Sequence, residues 1–406
     1  MSQGLQVKDQ GEVRKMVRKV LFIQFANSMY LRHDECDRYW DTFYRRWHAE
    51  GYYMGRYVFE PPKWIAEICH FLTDDMSRAI QWVTKSIDEA VETISLFDAD
   101  YVLMSLMNAN QTMIEGVVKR CPFQKFLIGG YNDKYLQYLA DRYPGVTYCR
   151  TTVETAQKLG VQYRFGTDYS LMEGDTVIPR LTLSYGCRNN CKFCIVPHGL
   201  ITEVPRECVE QQVFSFRDLD YRLIYIDDKT FMQAGNHVWL KDLSDVIRNG
   251  YGKKDFNGFV VQTTSGIVAK NAEHLADLGV RVAEIGLETY NDQILRAWRK
   301  PSSEQLVDKA VKAAKEAGLL LIPNIIVGLP EETEETYQRT FDYVMPLLKN
   351  GDIIGINPAI FTDYDNDGNL GEIDFLPDGK EDLHRRWWTK FNATAADILE
   401  KNLPKT

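Results

Sequence analysis

Two hydrophobic rhythms alternate along the chain: short apolar runs of strand length, and amphipathic stretches with helical spacing. After a polar lead-in over residues 1–18, a strand is expected over Lys19–Phe25. Pro61 and Pro62 open a helix over Lys63–Leu72, since proline suits a first helical turn. A second helix is expected over Met76–Ser95. Then come a buried strand Ala99–Ser105, a helix Gln111–Lys119, a strand Gln124–Ile128 ending in Gly129–Gly130, a helix Asp133–Arg142, a strand Val146–Cys149 and a helix Thr152–Leu159. Strands alternating with helices imply an α/β fold with a doubly wound, Rossmann-like parallel sheet. Ligands of such sheets sit at the carboxyl ends of the strands, where Ser105, Gly129 and Gly130 fall.

The alternation resumes further on. Strands are expected over Leu181–Tyr185, Arg222–Ile226, Gly258–Gln262, Val282–Leu287, Leu319–Val327 and Ile353–Asn357. Helices Pro205–Phe216, Val238–Asn249, Ala269–Leu278, Asp292–Trp298, Ser303–Gly318 and Glu334–Lys349 separate them. These units suit a partial (β/α)6 barrel of TIM type, whose active site would form at the carboxyl ends of its strands. A last helix, Lys380–Lys401, carries Trp387, Trp388 and Phe391 and is expected to lie across the barrel mouth. The expected division is a Rossmann-like domain over 1–175, a barrel over 176–361 and a C-terminal extension over 362–406.

Composition narrows the class. The 406 residues are 45% hydrophobic and 26% charged, ordinary for a globular chain. A net charge of −9 argues against a nucleic-acid-binding surface. Eight cysteines are too few for a secreted disulfide scaffold. No apolar run reaches the ~18 residues of a membrane span, and the polar N-terminus lacks a signal-peptide core. A reducing cytoplasm is expected. Residues 37–59 are dense in aromatics, including Tyr39, Trp40, Phe43 and Trp47, with arginines among them. They read either as an insertion packed on its domain or as a wall for a planar ligand. Asp363, Asp365, Asp367 and Gly368 look like the start of a calcium loop, though a solvated acidic turn accounts for them too.

The chemistry concentrates in Cys187–Arg–Asn–Asn–Cys191–Lys–Phe–Cys194. Three cysteines so spaced can converge on one face of a tight loop. Four thiolates close an iron–sulfur cluster, so three leave one iron open to an outside ligand. Zinc would need a fourth closed ligand, with His198 and Cys208 nearest; a disulfide would leave an odd thiol. The C-x3-C-x2-C spacing, with Phe193 before the last cysteine, resembles the radical SAM family. That resemblance implies a [4Fe–4S] cluster on Cys187, Cys191 and Cys194. S-adenosylmethionine (SAM) would close its open iron and be cleaved to a 5′-deoxyadenosyl radical. It also implies an electron donor such as flavodoxin or ferredoxin and a small-molecule or peptide substrate.

Further strand ends extend the resemblance. Asp227–Asp228 stands where the family has an acidic contact to the SAM amino group; a solvated or capping turn is the alternative. Gln262 and Thr264 end the third strand and would contact substrate or SAM, or cap the next helix. Glu288, in Gly286–Leu287–Glu288, resembles the family's ribose-binding carboxylate. Gly328 and Pro330 resemble its turn beside adenine. Arg296 and Arg299 could meet the SAM carboxylate or lie on an exposed helix face. The N-terminal half resembles the cobalamin-binding domain of one subfamily, which implies cobalamin as a further cofactor and methyl transfer to an unactivated carbon. Ser105, Gly129 and Gly130 would then lie against its nucleotide tail or corrin. The cobalt-ligating Asp-x-His-x-x-Gly pattern is missing: residues 26–34 hold only His33. The methylthiotransferases, which share the Cys194–Pro197 run, are a second resemblance; they need three further N-terminal cysteines, for which Cys36, Cys69 and Cys121 are candidates. A radical SAM rearrangement or oxidation without cobalamin is a further enzymatic alternative, and a metal-stabilised binding protein is the non-enzyme one.

Overall fold

A computed structural model describes residues 18–25, 34–49, 62–83, 86–107, 110–130, 132–172, 177–194, 196, 199–361, 375–376 and 378–402, with the backbone alone for 34–37, 48 and 49. His33, His198, the side chain of Cys36 and the acidic stretch 363–374 lie outside the described residues. So do the aromatics at positions 52–59.

The N-terminal half runs β1 (Arg18–Phe25), α1 (Asp34–Ala49), α2 (Lys63–Phe71), β2 (Met76–Val83), α3 (Asp88–Phe97), β3 (Tyr101–Leu106), α4 (Gln111–Arg120), β4 (Phe126–Gly130), α5 (Asp133–Arg142), β5 (Val146–Tyr148) and α6 (Thr152–Leu159). Its five strands pair in parallel in the order β2-β1-β3-β4-β5. The order reverses between β1 and β3, the place where such sheets open a crevice. Strand side chains alternate between faces, and two cores result. Leu21, Ile23, Val102, Met104 and Ile128 pack with α3, α4 and α5. Val20, Phe22, Leu103 and Leu127 join a core continuous with the second half of the chain.

That half runs β6 (Arg180–Leu181), β7 (Ser184–Gly186), β8 (Ile201–Glu203), α7 (Arg206–Ser215), β9 (Leu223–Ile226), α8 (Leu240–Asp245), β10 (Gly258–Thr263), α9 (Ser265–Asp277), β11 (Val280–Glu288), α10 (Asp292–Ala297), α11 (Glu304–Ala317), β12 (Leu320–Val327), α12 (Glu334–Asn350), β13 (Asn357–Ile360) and α13 (Glu381–Asn402). Six strands pair in parallel in the order β6-β9-β10-β11-β12-β13, an open partial barrel. Local signals fix its helices. Ser303 caps α11 and Thr333 forms a capping box with Thr336 on α12, while Gly318 and Gly351 end those helices in left-handed conformations.

Several expectations are corrected. Met76–Ser95 is not one helix: Met76–Val83 pairs in register with all eight residues of β1, and only Asp88–Phe97 is helical. Ile80, Trp82 and Val83 suit a strand, and the long edge of β1 supplies the partner. The strand expected over Leu181–Tyr185 breaks after Leu181, and Ser184–Gly186 pairs antiparallel with β8 instead. The helix expected over Val238–Asn249 is a 3-10 turn, a short α8 and a π turn. The final strand begins at Asn357 rather than Ile353. The last helix does not cross the mouth: α13 lies along α12, with Trp387 against Tyr337 and Phe341, and packs on α1. The aromatic segment joins this layer, with Tyr39, Phe43 and Trp47 buried. Tyr39 Oη donates to Ile356 O (2.5 Å) and accepts from Ile356 N (2.9 Å). Packing is therefore the role of the described part of this segment.

Candidate active site

The cysteine loop sits at the carboxyl end of β6, between β7 and β8. Asp228 shapes its entry. The Asp228 carboxylate accepts the N–H groups of Leu183 and Ser184 (both 2.9 Å) and the Ser184 hydroxyl (2.5 Å). These bonds draw the chain out of the sheet ladder just before Cys187. Burial pushes the Asp228 carboxyl above its usual value, against the pull of those donors. Cys187 and Cys191 are buried and Cys194 half-buried, all three as free thiols. Cys187 Sγ lies 3.3 Å from Thr230 Oγ1 and 3.4 Å from Asn189 N, which donates to it. Burial pushes the Cys191 thiol up to about 11, while the nearby Lys300 ammonium pulls it down and Cys194 and Cys187 add to the rise.

The ends of β11 and β12 close the other side. Glu288 is buried with a left-handed backbone (φ 61°) and pairs with Lys300. Burial opposes the Lys300 charge, yet the Glu288 carboxylate prevails and holds its ammonium above the ordinary value. Lys192 N donates to Trp298 O (3.1 Å), and the Phe193 and Trp298 rings meet at 6.2 Å, so the loop after α10 docks on the cysteine loop. Gly328 (φ 108°) donates its N–H to Tyr337 Oη (2.8 Å). A side chain there would meet Phe375 at 3.2 Å and Phe361 at 3.4 Å, so glycine is required. Pro330 O accepts from Lys380 Nζ (2.6 Å). Arg296 and Arg299 make no hydrogen bond to the cysteine loop among the described residues; Arg296 is an exposed partner of Asp292 (3.8 Å).

Deeper in the barrel, Gln262 Nε2 and Tyr225 Oη both donate to Glu284 Oε2 (3.2 and 3.0 Å). Burial lifts the Glu284 carboxyl, countered by those two donors. Arg180 stacks on Tyr225, 4.5 Å from its ring centre, and binds Asp227 (2.6 Å). Lys63, from α2, reaches Thr182 and lies 3.9 Å from Asp227. Asp227 is thus held below the usual carboxylate range, burial being outweighed by Arg180, Lys229 and Lys63. Thr264 Oγ1 accepts from Ile267 N (3.3 Å) as the N-cap of α9.

The N-terminal sheet carries a second recess. Ser105, Gly129, Gly130, Cys149, Arg150, Thr152 and Thr155 line a cavity of about 130 Å³ under Trp64 and Ile68 of α2. That is comparable to the ~150 Å³ cavity that takes up benzene. A side chain at Gly129 would press on Cys149 O at 3.1 Å, and one at Gly130 (φ 145°) would overlap Leu106 O. Both glycines are required where neighbouring backbone comes close, at the rim of the recess.

Residues 181–344 match the Radical SAM superfamily. Over that span the chain is similar to radical SAM domains. Over 184 residues it is 29% identical to a tRNA-2-methylthio-N(6)-dimethylallyladenosine synthase of Fusobacterium nucleatum, covering 40% of each chain. Over 177 residues it is 28% identical to the threonylcarbamoyladenosine tRNA methylthiotransferase MtaB of Bacillus subtilis, covering 40% of this chain and 38% of that relative. The chain thus matches less than half the length of these curated relatives. Its fold is similar to the cobalamin-dependent S-adenosylmethionine radical enzyme OxsB (TM-score 0.53, 12% identity, 95% of this chain and 56% of that one). It is also similar to the radical S-adenosylmethionine methyltransferase TsrM from Kitasatospora setae (TM-score 0.52, 12% identity, 85% and 75%).

A radical SAM domain implies an enzyme with a [4Fe–4S] cluster and SAM, and the donor set here fits. Three free thiols share one loop, Cys187 Sγ already accepts a hydrogen bond from Asn189 N, and a buried cation stands beside Cys191. Among the described residues, no three His, Cys, Asp or Glu side chains close around a single metal ion; a cluster spreads its ligands more widely than one ion does. The structure brings Phe193 and Glu288 to the cysteine loop, and Gly328 and Pro330 to the neighbouring strand end. Asp228 instead braces backbone and Asp227 is engaged by cations. Sequence reasoning missed Lys300, Tyr225, Glu284 and Arg180. The alternation along β11 puts Glu284 on the face of Gly286, which was a legible sign; Glu288 lies beyond a bulge that breaks the alternation. Nothing local marks Lys300, which follows a left-handed Arg299 (φ 53°).

Proposed function

We propose that this chain is a cobalamin-dependent radical SAM methyltransferase acting on an unactivated carbon of a small molecule or peptide. The observation that carries this is the glycine-floored recess at the ends of β3, β4 and β5. Its residues would hold the flat base of a cobalamin tail, with the corrin over the strand ends. The fold similarity to OxsB and TsrM, which spans both halves of the chain, supports it. Cys187, Cys191 and Cys194 would hold the cluster. Glu288 and the Gly328–Pro330 turn would orient the nucleoside end of SAM. When bound, cluster and SAM supply a carbon-centred radical and cobalamin supplies the methyl group.

This chain's own residues then select and shield. Glu284 and Asn324 project from adjacent strands on one face, by register, and Asn324 Oδ1 is a buried acceptor with no hydrogen-bond partner among the described residues. Both suit a substrate that offers N–H or O–H donors. An electron donor such as flavodoxin or ferredoxin would reduce the cluster.

The second reading, methylthiolation without cobalamin, is favoured by the curated relatives. Such an enzyme needs a second cluster, but of its candidate ligands Cys69 packs in one core of the N-terminal sheet and Cys121 against the other, and the Cys36 side chain lies outside the described residues. The deciding measurement is iron and cobalt per chain after anaerobic expression with cobalamin and cluster reconstitution. About four irons with one cobalt is the expected result; about four irons without cobalt removes methyl transfer from first place. Replacing the three cysteines with alanine should abolish SAM cleavage.

A further inference from the structure

One buried group beside the cysteine loop is used by none of the roles above. Lys300 is a buried cation whose surroundings are built to keep it in place. Its side chain is 11% exposed and that of its partner Glu288 8%. Nζ stands 5.6 Å over the Phe193 ring, the residue between Lys192 and Cys194 of the cysteine loop. The same short segment anchors the loop through Trp298 O and Lys192 N (3.1 Å). Lys300 N is itself tied to Leu295 O (2.9 Å). Any side chain at Gly286 would occupy the space of the ammonium, so the glycine of β11 makes room for it. Glu288 and Arg299, on either side, both hold left-handed backbones. Such conformations persist only where the surroundings enforce them.

Burying an ammonium is costly unless it is paired, and a structural ion pair alone is weak stabilisation. This pair has a further electrostatic consequence. The cation lies on the side of the cysteine loop: its Nζ stands 5.6 Å from the centre of the Phe193 ring, next to Cys194. Reduction of a cluster adds a negative charge. A positive charge at close range in a water-poor site stabilises the reduced form more than the oxidised one.

We propose that Lys300 is a positioning and charge-setting residue of the cluster: held between Glu288 and the Phe193 ring, its ammonium offsets the thiolate charge of the Cys191–Cys194 arm and raises the reduction potential. This rests on the radical SAM reading of the site. The test is an EPR-monitored redox titration of the reconstituted full chain, without SAM, with iron counted in each sample. Lys300→Met should move the midpoint to a more negative value and Lys300→Arg should keep it near that of the parent. Glu288→Gln, which leaves the cation uncompensated, should move it the other way. A Lys300→Met chain with a full cluster and an unmoved or more positive midpoint overturns the proposal. If Lys300→Met fails to fold or load, Glu288→Gln decides: a positive shift supports the proposal and an unmoved midpoint overturns it. A parent chain that binds no iron overturns the radical SAM reading and this proposal together, so the two failures are distinguishable.

Discussion

Glu332 shows how much one buried carboxyl can tell. It is 1% exposed at the turn after β12, with Thr336 donating to it. Burial pushes its pKa up to about 7 from 4.5, against the hydrogen bonds of Thr336 and Thr289. A carboxyl raised in the folded state favours folding while protonated, so its contribution is complete below about pH 4.5 and is lost as pH climbs through about 7. The difference amounts to about 3 kcal/mol at 1.36 kcal/mol per unit. Glu332→Gln should therefore flatten the fall in melting temperature between pH 4.5 and 8 relative to the parent chain. An identical pH profile for both would show that Glu332 does not carry it. Glu332 stood in plain sight beside Gly328 and Pro330 in the sequence, but its burial did not, because burial depends on α12 and Lys380 folding over the turn.

Elements show how the cysteine loop is aimed. β6 and β7 would be one strand by hydrophobic pattern, and Asp228 splits them by taking the N–H groups of Leu183 and Ser184 for itself. Asp228→Ala leaves two buried backbone donors unmet, which costs about 3 kcal/mol. The expected outcome is a lower urea midpoint for the metal-free chain and fewer irons per chain after reconstitution. Iron content equal to that of the parent would mean that the loop holds its shape without Asp228. The edge strand β2 carries the same lesson. Its mixed polar and apolar sequence is compatible with a helix, and the free edge of β1 decides the matter.

For the whole molecule, the informative contact is α1. It follows the first strand of the N-terminal sheet, yet it packs on α13 and on the chain entering β13, more than 300 residues away. Arg38 adds exposed ion pairs to Asp397 (2.6 Å) and Glu400 (2.8 Å), which contribute little by themselves. Tyr39 contributes more, because Ile356 N and Ile356 O have it as a buried partner. Tyr39→Phe should lower the unfolding free energy by about 2 kcal/mol, read from urea denaturation monitored by circular dichroism. A loss within error of zero would show that water replaces the hydroxyl. Lys63 makes the second bridge, reaching from α2 to Thr182 and Asp227 beside the lumen.

The sequence by itself determined the two αβ repeats, most helix ends and the cysteine loop. These rest on local rules: hydrophobic period, capping residues, turn glycines and ligand spacing within eight residues. It also marked Ser105, Gly129 and Gly130 as a strand-end group. Only the tertiary structure decided that Asp228 serves the backbone and that Lys300 stands against the cysteine loop. It alone made α1 a clasp between the two halves. The physical reason is the same in each case. A polar side chain takes its role from whichever partner is nearest once water has been excluded, and these partners are separated along the chain by 12 to 317 residues.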